Sequence, residues 1–358
     1  MTRVAFVFFG SRDELIERHA AGLAPDHQLH GQNHLADHSI ESWNHDPLLT
    51  RRKWRPAPVQ KFAWFARELS LPFELGDADT VITTLSTLYP IVERRRRVFV
   101  MAMSLCNKLS RPAPGRGLNR ASLRRADGIV CFGHWQRERL IELAGLEPER
   151  AHVLPVSVDS DFFTPRAEEP GDYVLAVGYD IGRDYATMAE AVRGLPYRAV
   201  FVCRERNVAG LDLPPNVEID LETPFTRLRD LYAGARAVVV PSRGDGYAFG
   251  SDMPGATSIV ETLAMGKPLI TTERAWLDDY VVRGESALTV PAEDPAALRA
   301  AILEVASDEA LAASLGRAGR STVEEKLSSR RFAEGLVDLI GAQPNAVRSG
   351  AELTAAAS

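Results

Sequence analysis

Short runs of consecutive apolar residues, each ending at a turn residue, recur along this chain and alternate with helical stretches. The runs at residues 4–9 and 173–177, for example, end at Gly10 and Gly178. Strands that are apolar on both faces belong inside a parallel sheet with helices packed on both sides. The alternation stops over residues 155–169, which are rich in proline and acidic residues, and then restarts. We therefore predict an α/β fold with two Rossmann-like parallel-sheet units.

The 358 residues are enough for two buried cores. We place an N-terminal unit at residues 1–165 and a C-terminal unit at residues 166–327. An amphipathic helix at 328–341 follows, because its apolar residues recur at helical spacing. Residues 342–358 are rich in Ala, Ser and Asn, and we predict that this tail is disordered.

Composition narrows the classes of function. The net charge of −6 argues against a general attraction to nucleic acid. The three cysteines are far apart and lack metal-ligand spacing, which is typical of a reducing compartment. No run approaches the ~20 apolar residues that span a bilayer, and the first run is shorter than the core of a signal peptide. We expect a cytoplasmic protein without a metal centre or cofactor.

The stretch from Gly255 to Pro268 predicts a short helix that starts behind a glycine and leads into a strand. A helix start presents free N–H groups and a positive dipole end, which suits a phosphate. Thr257 and Ser258 add hydroxyl donors at the same place. Glu261 lies about 6 Å further along the helix axis, where it would accept hydrogen bonds from a ribose.

The same residues also fit a purely structural interpretation. Ser258-x-x-Glu261 matches the capping box, in which the serine caps the helix and the glutamate folds back onto the first turn. The alternatives differ in what Glu261 contacts.

Two polar segments interrupt the apolar pattern in the first half. Residues 25–58 hold five of the eight histidines, and the spacing of His30, His34 and His38 would place three imidazoles on one helical face, as a zinc site requires. The alternative is a polar, mobile surface segment. The four arginines at 94–97 form either a solvated face or a surface for an anionic acceptor or anionic lipid head groups. A peripheral membrane contact through the N-terminal unit therefore stays open.

The second half resembles the C-terminal domain of retaining, nucleotide-sugar-dependent glycosyltransferases of the GT-B fold, in group 1 (family four). The matching motifs, in chain order, are the linker Leu154-Pro155-Val156-Ser157-Val158, then Val177-Gly178 with Arg183, Leu231-Tyr232-Ala233-Gly234-Ala235, Val238-Val239-Val240-Pro241-Ser242, the stretch from Gly255 to Pro268, and Gly284-Glu285-Ser286-Ala287-Leu288. The likeness covers residues 127–340. The first hundred residues share only the general layout.

This resemblance implies two sheet domains facing across a cleft and a sugar transferred from a nucleoside diphosphate to an acceptor with retention of configuration, in carbohydrate biosynthesis. The acceptor would be a saccharide, a lipid-linked sugar or a small molecule, held under the N-terminal unit near Gly10, and the last helix would pack back on that unit. The family's donor-binding roles fall on Gly178, Arg183, Leu221, Gly255, Ala256, Thr257, Ser258 and Glu261.

Two positions depart from the family pattern. The family has two glutamates eight positions apart, and the first of them is Met253 here, so Asp252 and Asp245 are the candidates for the missing acid. The arginine that usually follows the glycine of the donor site is Tyr179, whereas Arg183 keeps a cation that can bind phosphate. Two alternatives to a transferase follow, namely a catalytically inactive nucleotide-sugar-binding protein and a nucleotide-sugar epimerase.

Overall fold

The structure is a computed structural model that describes residues 1–8, 10–46, 57–112, 115–167, 171–221, 223–247 and 249–341. Its strands form two six-stranded sheets, and every pairing within them is parallel. The predicted α/β fold with two parallel-sheet units facing across a cleft is therefore confirmed. The predicted disordered tail at 342–358 and residues 47–56 of the histidine-containing segment lie outside the described residues.

The N-terminal sheet has the strand order β2-β1-β3-β4-β5-β6. Its strands are β1 (Arg3–Val7), β2 (Glu41–Asn44), β3 (Thr80–Thr83), β4 (Arg97–Met101), β5 (Gly128–Cys131) and β6 (Ala151–Val153). Its helices are α1 (Asp13–Ala20), α2 (Ala57–Glu74), α3 (Tyr89–Val92), α4 (Leu105–Ser110), α5 (Arg116–Arg125) and α6 (His134–Ala144). The strands β3 and β5 are buried along their whole length, as the continuous apolar runs predict.

The C-terminal sheet has the strand order β12-β11-β10-β7-β8-β9. Its strands are β7 (Tyr173–Val177), β8 (Arg198–Cys203), β9 (Val217–Leu221), β10 (Ala237–Val240), β11 (Leu269–Thr272) and β12 (Leu288–Val290). The helices of this half are α7 (Tyr185–Val192), α8 (Glu205–Val208), α9 (Phe225–Gly234), α10 (Ala256–Ala264), α11 (Pro295–Ser307), α12 (Glu309–Thr322) and α13 (Ser329–Gly341). Thr223, two residues before α9, donates its hydroxyl to the carboxylate of Asp220.

The prediction of a polar, partly mobile surface segment is wrong where its described part, residues 25–46, enters the core, because His27, Leu29 and Leu35 are buried. This part forms two 3₁₀ helices (His27–Leu29 and Gln32–His38) and the edge strand β2. His30 packs among the rings of Phe8, Phe132 and Phe332, at centroid distances of 5.3, 6.4 and 6.3 Å.

The zinc site that the spacing of these histidines left open as an alternative does not form. His34 uses Nε2 on the carboxylate of Asp26, at 2.8 Å, while His30 lies in the aromatic cluster. Within the described residues, no group of three or more His, Cys, Asp or Glu side chains is placed to hold a metal ion. Every helix in the described ranges is too short or too polar to cross a bilayer.

The last helix, α13, packs on elements of the N-terminal half. Its buried residues include Phe332 and Leu336, and Ala333 lies so close to Gly31 that a Cβ at Gly31 would be only 3.0 Å from the Ala333 backbone. Arg97 donates to the carbonyls of Leu339 and Ile340, at 3.1 and 2.7 Å. The four arginines at 94–97 therefore do not form one solvated face, because Arg97 is hydrogen-bonded to the end of α13.

Candidate functional site

A cleft of about 450 Å³ lies where the carboxyl ends of the two sheets face each other. Open α/β sheets bind ligands at this edge. The N-terminal half contributes Gln28, Ala102, Met103, Ser104, Phe132 and Gln136. The C-terminal half contributes residues that follow β7 and β10, among them Gly178, Tyr179, Asp180, Arg183, Ser251, Asp252, Met253, Gly255, Ala256, Thr257, Ser258 and Glu261.

The floor of the C-terminal side is built around Arg183, whose side chain is 4% exposed. The guanidinium passes between Gly178 and Gly255, and a Cβ at either glycine would overlap it. Nη2 donates to the Ser258 hydroxyl at 3.1 Å, whereas the buried Nη1 has no hydrogen-bond partner in the described part of the chain. Burial lowers the pKa of Arg183, and the carboxylates of Asp180 and Glu261 oppose that shift.

Helix α10 starts at Ala256, and Gly255 precedes it with a φ of 102°. That left-handed conformation favours glycine. The exposed Thr257 and the buried Ser258 both lie in the first turn and line the cleft. A first turn has N–H groups without partners inside the helix, together with the positive end of the helix dipole. The predicted helix start is thus adjacent to Arg183.

The capping-box interpretation of Ser258 and Glu261 is wrong. Ser258 is the third residue of α10, and Gly255, the residue before the helix, has no side chain that could cap it. Its hydroxyl instead donates to the carbonyl of Val177 at 3.1 Å, which ties α10 to the end of β7.

Glu261 faces a buried polar group. Its Oε2 accepts a hydrogen bond from the Tyr232 hydroxyl at 2.9 Å, and His27 Nε2 lies 3.6 Å from Oε1. Burial raises the pKa of Glu261 from 4.5 to about 7, although Tyr232 and Arg183 favour its charged form. Burial also lowers the pKa of His27 to about 4. Glu261 is therefore a carboxyl group that titrates near neutral pH between a phenol and a neutral imidazole.

Asp252 joins the two halves of the molecule. Its carboxylate accepts hydrogen bonds from the backbone N–H of Cys106 (2.9 Å) and Asn107 (2.8 Å) and from Nε2 of Gln136 (2.9 Å). Asn107 Nδ2 in turn donates to the carbonyls of Gly250 and Ser251. Burial raises the pKa of Asp252, while these donors oppose the shift.

The other acid candidate, Asp245, lies 2.7 Å from Nε of Arg274 and is not among the residues that line the cleft. Gly10 and Leu221 are also absent from the lining. Gly10 is exposed after β1. Leu221 lines a separate depression beside β9, with Arg198 and Arg227.

Sequence analysis did not identify four residues that make contacts in this site, namely His27, Asn107, Gln136 and Tyr232. Tyr232 belongs to one of the motifs that resemble the family. The sequence therefore pointed to this residue, but not to the contact of its hydroxyl with Glu261. Asn107 and Gln136 meet residues more than a hundred positions away, and no spacing rule points to such pairs.

Residues 200–308 match the profile of a family described as glycosyl transferases group 1. A curated relative is D-inositol 3-phosphate glycosyltransferase 1 from Catenulispora acidiphila, 25% identical over a region that covers 54% of this chain and 52% of that protein. The chain thus spans about half the length of the curated relative it matches. The resemblance to group 1 glycosyltransferases is confirmed.

Solved structures share the fold over nearly the whole chain. A sucrose-phosphate synthase from Thermosynechococcus elongatus is 15% identical, with a TM-score of 0.71 over 95% of this chain and 98% of that one. Anabaena HepE, solved in complex with UDP-glucose, is 11% identical, with a TM-score of 0.67 over 95% of this chain and 99% of that one. Their likeness confirms the GT-B fold.

Proposed function

We propose that this chain is a glycosyltransferase that moves a sugar from a nucleoside-diphosphate donor to an acceptor, with retention of anomeric configuration. The match of residues 200–308 to group 1 glycosyl transferases supports the reaction class. A neighbouring fold solved with UDP-glucose supports the donor class. In this proposal the C-terminal unit, residues 166–327, holds the donor, and the N-terminal unit, residues 1–165, holds the acceptor.

The observation that carries the proposal is that Nη1 of Arg183, beside the start of α10, has no hydrogen-bond partner within the described ranges. A buried cationic N–H without an acceptor is costly, and an anionic oxygen relieves that cost. The diphosphate would bind Nη1 and the first-turn N–H groups of α10, with the Thr257 hydroxyl beside them. These donors would stabilise the negative charge that develops as the leaving group departs.

Glu261 would accept a hydrogen bond from the ribose. The carboxyl lies one turn into α10 and lines the cleft, as the ribose role requires. Its hydrogen bond to Tyr232 fixes the orientation of the carboxyl, and loss of its proton would leave two acceptor oxygens.

The acceptor would lie between Gln28, Met103 and Ser104, which line the cleft from the N-terminal half, rather than at Gly10, which is not part of the lining. A saccharide, a lipid-linked sugar or a small molecule remains the acceptor class. The curated relative is named for a phosphorylated inositol, which makes a cyclitol phosphate a useful first acceptor to assay.

A second candidate function is donor binding without transfer. Met253 replaces an acid, and the other cleft carboxylates are engaged. Asp180 accepts from the backbone of Gly182 and Ser251, and Asp252 accepts three N–H groups. A retaining transfer that uses no protein nucleophile needs none of these groups as a base.

Two measurements separate the candidates. Thermal unfolding with UDP, GDP, dTDP and ADP and their sugars identifies the donor, because a ligand that binds only the folded state raises its stability. Incubation with that donor then tests for transfer or slow hydrolysis. Release of nucleoside diphosphate marks a transferase, unchanged donor marks a binding protein, and an isomerised sugar marks an epimerase.

A further inference from the structure

His27 brings a side chain of the N-terminal half up to the carboxyl group that we assign to the donor ribose. Its Nε2 lies 3.6 Å from Oε1 of Glu261, which belongs to α10 in the C-terminal half. The two side chains are only 4% and 5% exposed. The contact therefore joins the two halves at the donor site, although the reaction proposed above does not use His27.

Both ring nitrogens of His27 are buried and have no hydrogen-bond partner within the described ranges. A hydrogen bond at one nitrogen of an imidazole usually decides which of the two carries the proton. Because neither nitrogen of His27 has such a bond to any residue that the structure describes, both neutral tautomers are available to it. Buried polar atoms without partners are costly, so the ring needs a partner in another state of the site.

Glu261 provides a partner for the ring. Its Oε2 accepts from the Tyr232 hydroxyl, whereas Oε1 has no hydrogen bond in the described part of the chain. At 3.6 Å, Nε2 of His27 is about half an ångström too far from Oε1 for a hydrogen bond. Contacts in active sites often shorten once the substrate binds. A small approach of the two halves would therefore turn this contact into a hydrogen bond.

The surroundings hold the ring of His27 in place. The N–H of Asp26 donates to the carboxylate of Asp159 at 2.9 Å, which ties the start of the 3₁₀ helix His27–Leu29 to the segment between the two halves. The ring of Phe163 packs against the rings of both His27 and Tyr232, at centroid distances of 6.0 and 5.9 Å. Apolar packing thus encloses the pair on the side away from the cleft.

The charged or titratable groups that face this pair are Asp26, His30, Tyr179, Arg183 and Tyr232. The carboxylate of Asp26 already accepts from Asn33 Nδ2 and His34 Nε2, both at 2.8 Å. Burial lowers the pKa of His30 to about 3, so that ring is neutral near pH 7. Glu261 is therefore the neighbour of His27 whose hydrogen-bonding needs change near neutral pH.

We propose that His27 is a positioning residue for donor binding, and that it supports the ribose-binding carboxyl of Glu261 in both of its protonation states. The inference rests on the proposed function. With a protonated carboxyl, Nε2 accepts the O–H of Oε1, and with a carboxylate, Nε2–H donates to Oε1. On ionisation Oε1 passes its proton to Nε2 while Nδ1 loses its own proton to solvent. The ring stays neutral, and one proton leaves the pair.

The ribose hydroxyls need the carboxylate form of Glu261, because only that form accepts hydrogen bonds at both oxygens. The Nε2–H tautomer of His27 would hold this form in one orientation. The N-terminal half would thereby contribute to donor affinity without touching the donor.

The first test is calorimetric titration with the UDP, GDP, dTDP or ADP sugar that thermal unfolding selects and with its 2′,3′-dideoxyribose analogue. His27→Leu keeps an apolar side chain of similar size, and we expect it to bind the ribose form about tenfold more weakly and the dideoxy form as the parent does. His27→Gln can donate or accept near the Nε2 position and should stay within about threefold of the parent for both ligands.

Two controls accompany these variants. His152→Leu makes the same change at a half-buried histidine of β6, and it should bind both ligands as the parent does. Adding His27→Leu to Glu261→Gln should weaken binding of the ribose form no further than Glu261→Gln alone, because His27 acts through Glu261.

The second test needs no donor and uses the parent chain, so it does not depend on the folding of a variant. Nitrogen NMR of the His27 ring distinguishes its two neutral tautomers. We expect the Nε2–H form to increase as the pH rises through about 7, where Glu261 ionises. The change should be absent in Glu261→Gln.

An equal loss of affinity for both ligands in His27→Leu, or discrimination between them as strong as in the parent, would show that the ring only packs. A constant tautomer ratio across this pH range would show that Nε2 does not serve Glu261. Any of these results overturns the inference while the parent still binds its donor. If the parent binds none of the nucleotide sugars, the proposed function fails and this inference fails with it.

Discussion

Nη2 of Arg183 lies 3.1 Å from Oγ of Ser258, and this hydrogen bond joins the turn after β7 to the first turn of α10. Because Ser258 also donates to Val177, the guanidinium is held in one place, while its Nη1 has no hydrogen-bond partner among the residues that the structure describes. A cation held rigidly beside a helix start is a preorganised anion-binding site. Preorganisation reduces the free energy that ordering the site would cost on binding.

Replacing Arg183 should therefore weaken binding of the phosphate groups more than binding of the nucleoside. We expect Arg183→Ala to weaken binding of the nucleoside diphosphate by about ten- to a hundredfold, as loss of a charge-assisted hydrogen bond does. Binding of the nucleoside alone should change little. Calorimetric titration of both ligands measures the two effects, and an equal loss for both ligands would show that Arg183 does not contact the phosphates.

Gly255 should tolerate no side chain. In Gly255→Ala the Cβ would lie 2.6 Å from Cγ1 of Val240 and overlap the Arg183 guanidinium, at a φ of 102°. We expect a loss of about 2–4 kcal/mol in the free energy of unfolding, together with loss of diphosphate binding. Gly284→Ala is the control, since Gly284 has a φ of 75° but open space around it, and it should lose only about 1 kcal/mol. Similar losses in denaturant unfolding would mean that crowding at Gly255 is unimportant.

Glu261 should make the stability of the protein depend on pH. Its pKa is about 7 when folded and 4.5 ordinarily, so between these values the folded state holds a proton that the unfolded state has lost. That contribution is fully present below pH 4.5 and is lost as the pH rises through 7. From pH 5 to pH 8 the parent should therefore lose about 2–3 kcal/mol relative to Glu261→Gln.

His27 has the opposite slope, because its lowered pKa makes stability rise as the pH passes from 4 to 6.5. It is present in both proteins, so the difference between parent and variant isolates Glu261. Parallel stability curves for the two proteins would show that Glu261 is already ionised at pH 5.

Asp252 should act as a connection between the two halves of the molecule. Asp252→Asn puts an amide N–H₂ against groups that already donate to this position, and we expect a cost of about 1–3 kcal/mol. Asp278→Asn is the control, because Asp278 is exposed and its partner Arg283 keeps Glu273. A fall in kcat for Asp252→Asn with unchanged thermal unfolding would instead identify Asp252 as a catalytic acid or base.

The meeting of Arg183 with Gly255 follows from the sequence. Both residues come after parallel strands, and the carboxyl ends of such strands lie on one edge of a sheet. Ser258 lies at this place, but its hydroxyl donates to Val177 rather than to its own helix or to the open cleft. Local sequence patterns are enough to predict such a contact when both residues belong to the same sheet unit.

Contacts between the two halves could not be predicted in this way. The three donors to Asp252 lie in helices of the other sheet unit, and nothing in residues 104–107 or 136 marks them as partners. The edge strand β2, with the sequence Glu-Ser-Trp-Asn, has no apolar alternation because only one side of it is paired. Its existence depends on pairing with β1 rather than on its own residues.

The central claim is that a nucleoside-diphosphate sugar binds at Arg183 and the start of α10 and loses its sugar there. The most direct measurement follows release of nucleoside diphosphate from the donor that thermal unfolding selects, for the parent and for Arg183→Ala. We expect release by the parent, faster with a suitable acceptor, and a rate at least about tenfold lower in the variant. Equal rates in both proteins, or no release from any of the UDP, GDP, dTDP and ADP sugars, would contradict it.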